Sequence, residues 1–73
     1  MTISEIREEL LHRDAEFQKL AEEHARYSTQ LEQLTRSPYH SAEDLLLESE
    51  LKKLKLRLKD EMERRVAQYK QAS

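Results

Sequence analysis

The chain has 73 residues, and 15 acidic against 13 basic side chains give it a formal net charge of −2; a chain of this length makes one domain. It contains no Cys, no Gly and a single Pro, which excludes a disulfide framework, a thiolate metal site and a glycine-rich phosphate loop. Charged residues make up 38% of the chain and aromatics 5%, a balance that favours exposed helix over a β-sandwich.

The first element predicted is a helix over about residues 2–35. Its start carries Thr2 with Glu5 three residues later, the spacing of a capping box. Glu5, Glu8 and Glu9 suit the positive end of the helix dipole. Apolar residues then recur at heptad spacing. With Ile3 at position a, the a series is Ile3, Leu10, Phe17, His24, Leu31, and the d series is Ile6, Arg13, Leu20, Tyr27, Leu34. A strand would alternate with period two, and this segment does not.

A connector is expected at 36–40, where Ser37 precedes Pro38. Proline turns the residue before it away from the α conformation, and Ser-Pro also suits an N-cap followed by a first helical residue. Helix 2 follows over about 41–70, opened by Ser41 with Asp44 as a second capping box. Its seam reads Leu47, Leu51, Leu54, Leu58, Met62, Val66, Tyr69, with a stutter after Leu58 that unwinds a left-handed supercoil.

One long kinked helix in a parallel coiled coil is the alternative to a hairpin folded at Pro38. Register favours the hairpin. Folding there sets Tyr27 opposite Leu51, His24 opposite Leu54 and Leu20 opposite Leu58, with Phe17 near Met62 and Leu10 near Tyr69. The same register pairs Glu16 with Arg64 and Glu23 with Arg57, opposite charges of the kind that set helix orientation. The expected fold is therefore all-α, an antiparallel two-helix coiled-coil hairpin whose seam is Leu10, Phe17, Leu20, His24, Tyr27, Leu31, Leu34, Leu47, Leu51, Leu54, Leu58 and Met62. Leu11, Leu45, Leu46 and Leu56 fall outside that seam. They supply a second apolar surface for self-association, with a dimeric four-helix bundle as the expected assembly.

The string from Leu51 to Met62, Leu-Lys-Lys-Leu-Lys-Leu-Arg-Leu-Lys-Asp-Glu-Met, closely resembles the second helix of the YdcH-like family, small bacterial proteins of unknown function. Phe17, Leu20, His24 and Leu31 fit that family's first helix, although Glu23 stands where the family usually has Lys. The resemblance covers about residues 10–65. It implies a helical hairpin in the bacterial cytoplasm and supplies no activity, ligand or catalytic residue.

The residues themselves offer little chemistry. His24 lies on the seam, as a part-satisfied core histidine or as a proton-sensitive switch. Glu9-x-x-His12 matches half of a di-iron bundle motif, but helix 2 has no His to complete it. Arg13 and Arg65 meet in the hairpin register, so their guanidiniums are expected to reach Glu9, Glu61 or Asp14. Neither a catalytic residue nor a metal or cofactor site is expected. Lys52, Lys53, Lys55, Arg57 and Lys59 put five bases in eight positions, a stretch able to track phosphates, though no aromatic is interleaved to stack on bases. The longest apolar run is Leu45-Leu46-Leu47, so no membrane span or leader peptide is expected. The reading is a non-enzymatic cytoplasmic protein–protein interaction or scaffold module that pairs with itself and with an unidentified protein; its alternative is a small RNA-binding hairpin using 52–59.

Overall fold

The structure, a computed structural model, describes residues 1–38 and 40–72. Tyr39 of the expected connector lies outside the described residues. The fold is all-α, with three helices: α1 Ile3–Arg13, α2 Ala15–Arg36 and α3 Ala42–Ala72.

Both expected capping boxes form. The Thr2 hydroxyl accepts from the Glu5 N–H while the Thr2 N–H donates to the Glu5 carboxylate. At α3 the Asp44 N–H donates to Ser41 Oγ at 3.1 Å, and the Ser41 N–H donates to Asp44 Oδ2 at 3.2 Å. The two bonds to Thr2 hold the Glu5 carboxyl below the usual range.

The expected continuous helix over 2–35 is instead two helices broken at Asp14, which sits in extended conformation at φ −107° and ψ 106°. Aspartate is a poor residue inside a helix and among the best at its N-cap. Here Oδ1 accepts from the N–H groups of Glu16 and Phe17, at 3.0 and 3.2 Å. Two donors that a straight helix would have satisfied with carbonyls are thereby satisfied by one side chain. The Gln18 amide donates to the Leu11 carbonyl left open at the end of α1.

At Asp14 the chain turns back. Arg7 and His24 line one groove, whereas seventeen residues of straight helix would hold them about 25 Å apart at ~1.5 Å per residue. Turned back, α1 packs on both α2 and α3. Ile6 and Leu10 then join Phe17, Met62 and Val66 in a single core, with Leu20, Ala21 and Tyr69 against it. In the extended hairpin register Ile6 would face only Ala72. Bringing Ile6 fully into the core beside Leu10 is the physical reason for the break, because a side chain of this size contributes about 1.5–3 kcal/mol when buried.

The break also separates the two arginines. Arg13 swings out to Glu9 at 3.8 Å, while Arg65 donates to Asp14 Oδ2 at 2.7 Å and lies 3.7 Å from Glu16. Glu16 thus meets Arg65 rather than Arg64. Tyr69 donates its hydroxyl to Glu9, which raises the phenol's pKa.

Asp14 therefore caps α2 with one oxygen and fastens the hinge to α3 with the other. Its partial burial disfavours the charged carboxylate, but the bonds from Phe17, Arg65 and Glu16 outweigh this and hold the carboxyl below its ordinary value. The sign follows: a carboxyl with a depressed folded pKa stabilises the fold above its unfolded value near 3.8, and the contribution is lost as pH falls through the lower folded value. In Asp14→Ala the α1 amides should exchange faster than in the parent while helix content is kept, because alanine favours a continuous α1–α2 helix. Asp14→Asn, which keeps a capping oxygen but loses the charge on Arg65, should fall between. Equal α1 protection in parent and Asp14→Ala would show that this residue does not hold the hinge.

Along the rest of the expected seam, Leu31 and Leu51 are buried, and Leu20, His24, Tyr27, Leu34 and Leu58 are half-buried. Leu47 and Leu54 are corrections, 46% and 36% exposed. They lie about 40° and 60° round α3 from Leu51 at ~100° per residue, on one side. Met62 and Val66 lie on the other side, where α1 covers them. A third helix seals only one flank of the two-helix contact.

Candidate functional site: a basic valley beside exposed leucines

α1 fills the α2–α3 valley only around Met62, Val66 and Tyr69. Beyond it the valley stays open as a groove of about 470 Å³. His24 and Leu31 line it from α2, Lys52, Lys55, Leu56 and Lys59 from α3, and Arg7 closes the α1 end over Met62. Leu31 and Met62 are buried, and Lys55 is half-buried.

Three of the five bases in the run 52–59 therefore share one face. Lys52, Lys55 and Lys59 stand at i, i+3 and i+7, while Lys53 and Arg57 point to other sides of α3 by the same helical geometry. Lys52 is paired with Glu48, one turn before it, at 2.9 Å. Among the described residues Arg7, Lys55 and Lys59 have no carboxylate at ion-pair distance, and Glu23 and Arg57 do not pair with each other. Arg26 stacks over the Tyr27 ring at 5.5 Å.

His24 registers this surplus of positive charge. Its burial, and then Lys55, Arg7 and Lys59 around it, lower its pKa. An unfolded chain takes up this proton near pH 6.5 while the folded one resists it, so stability falls as pH drops below about 6.5. Urea midpoints between neutral pH and pH 5 should fall less steeply for His24→Gln than for the parent. The same slope in both would place the acid sensitivity elsewhere.

The leucines set aside for self-association are all exposed. Leu45 is 57%, Leu46 64% and Leu56 60% accessible, with Leu11 also open on α1. Eleven residues separate Leu45 from Leu56, three turns, so the two share a face of α3 next to Lys52 and Lys59. Sequence reasoning missed Arg7, which reaches the valley only because α1 turns back. Among the described residues no group of three His, Cys, Asp or Glu comes together that could hold a metal, and no helix is long and apolar enough to cross a membrane.

Residues 17–66 match a family described as "Protein of unknown function (DUF465)". The chain belongs to this family, the YdcH-like proteins. Neither the curated proteins nor the solved structures returned a match. The family segment takes in α2 from Phe17 and α3 as far as Val66. It holds all the valley's lining residues except Arg7, and α1 lies outside it.

Proposed function

We propose that this protein is a non-enzymatic, cytoplasmic helical interaction module whose docking face is the part of the α2–α3 valley that α1 leaves open. One observation carries the reading: the basic valley and the exposed Leu45 and Leu56 lie on neighbouring faces of α3, and α1 stops short of both. A surface that combines unpaired bases with exposed leucines suits an amphipathic acidic helix laid into a groove.

RNA binding along 52–59 is less well supported. Lys53 and Arg57 stand away from the valley, and Glu48 already neutralises Lys52. The acidic stretch immediately before the run would also repel a phosphate backbone.

A photo-cross-linking phenylalanine in place of Leu56, in cells, tests the reading. Protein adducts are expected at position 56 and are not expected at Glu61, about 140° round α3 at ~100° per residue. Adducts to nucleic acid alone, or equal protein adducts at both positions, would overturn it.

A further inference from the structure

Charge is segregated along α3. Residues 43–50 carry Glu43, Asp44, Glu48 and Glu50 with no base, and residues 52–59 carry five bases with no acid. The two stretches have the same length and lie symmetrically about Leu51. Such a helix is complementary to a second copy of itself running the opposite way: a two-fold centred between Leu51 and Lys52 sets Asp44 opposite Lys59 and Glu48 opposite Lys55, with Leu45 close to Leu56, all on the valley side of α3, within about 120° at ~100° per residue.

The three-dimensional arrangement fits this pairing in a way that the charge pattern alone does not require. The open half of the valley offers unpaired Arg7, Lys55 and Lys59 around an apolar floor of Leu31 and Met62, with Leu56 on the rim. The stretch 43–50 offers both acids and leucines, and its Leu45, Leu46 and Leu47 are exposed.

From this we infer that the occupant of the basic valley is the acidic, leucine-bearing stretch 43–50 of a second copy, in a two-fold antiparallel α3–α3 dimer. The inference rests on the interaction-module reading and names its partner. α1 and the second copy's α3 then share the α2–α3 valley end to end, α1 over Met62 and Val66 and the second copy over Lys52 to Lys59.

Charge exchange tests it. Lys55→Glu with Lys59→Glu makes α3 predominantly acidic through residue 59, apart from the three bases at 52, 53 and 57. Glu43→Lys with Asp44→Lys leaves the other half with two bases against Glu48 and Glu50 and makes residues 43–59 predominantly basic. Each variant alone should associate at least about tenfold more weakly than the parent by sedimentation, because like charges then face each other. An equimolar mixture should recover a heterodimer, since both contacts of the two-fold pair become complementary again.

A Leu45→Cys, Leu56→Cys variant of this cysteine-free chain should link between copies, the two positions being about 16 Å apart within one helix at ~1.5 Å per residue. A parent that stays monomeric at all concentrations, or variants that weaken yet fail to recover on mixing, would overturn the dimer. Position-56 adducts at twice the chain mass support it. Adducts only at other masses overturn the second copy as partner while leaving the interaction-module reading standing.

Discussion

Phe17→Ala is expected to abolish the cooperative fold at physiological temperature. Among the described residues Phe17 is the one aromatic ring with no exposed surface, and it sits where all three helices meet, among Ile6, Leu10, Met62 and Val66. Truncating a buried phenylalanine costs about 3–5 kcal/mol, the transfer of the ring plus the cavity it leaves. A single core in a chain this short supplies rarely more than about 3–5 kcal/mol in total. The two magnitudes are equal, so the variant should show a broad, low-amplitude urea transition by circular dichroism. Phe17→Leu keeps most of the volume and should retain a sigmoidal one. If Phe17→Ala unfolds within about 1 kcal/mol of the parent, the junction is not anchored by this ring.

Ile6→Ala carries the second large effect, and it separates the observed fold from the simpler hairpin. Ile6 is 2% exposed, entirely through the turn at Asp14. Truncation there should cost about 2–5 kcal/mol. Were α1 a straight extension of α2, Ile6 would stand opposite Ala72 at the margin of the contact, and the same change would fall within about 0.5 kcal/mol of neutral. Hydrogen exchange adds a spatial readout. In the turned-back fold Ile6→Ala should expose the amides of α1 first and leave those around Leu31 and Leu51 protected, since these bury against α2 and α3 alone. Uniform loss of protection would mean that α1 and the α2–α3 pair unfold as one unit.

The depressed pKa of His24 and the free bases beside it have a common origin. Arg7 arrives from α1, and Lys55 and Lys59 from α3, on either side of a half-buried imidazole. In an isolated α3, Lys55 and Lys59 would be solvated and Arg7 remote from them. Packing brings Arg7 to Lys55 and Lys59 on a face where none of the three meets a carboxylate at ion-pair distance, which is the property on which the proposed pairing depends.

The pattern along the chain determined the all-α class, the two capping boxes at Thr2 and Ser41, the interruption after Arg36, the apolar character of the residues that gather in the core, Leu10, Phe17, Met62 and Val66, and the family, because each depends on residues within a few turns of one another or on a periodic apolar stripe. The exposed leucines were legible for the same reason: they fall off the stripe. The break at Asp14 was not legible by period, since apolar residues at a and d continue on both sides of it. The local signal was an aspartate with free amides two and three residues on, at Glu16 and Phe17. Whether it caps or stays within a helix is set by an energy elsewhere, the burial of Ile6 and Leu10 and the grip of Arg65 on its second oxygen. The exposure of Leu47 and Leu54 and the basic valley follow from the same event. A third helix laid over one flank of α3 seals that side near Met62, leaves the other side open, and brings Arg7 to bases that the sequence keeps more than forty residues away.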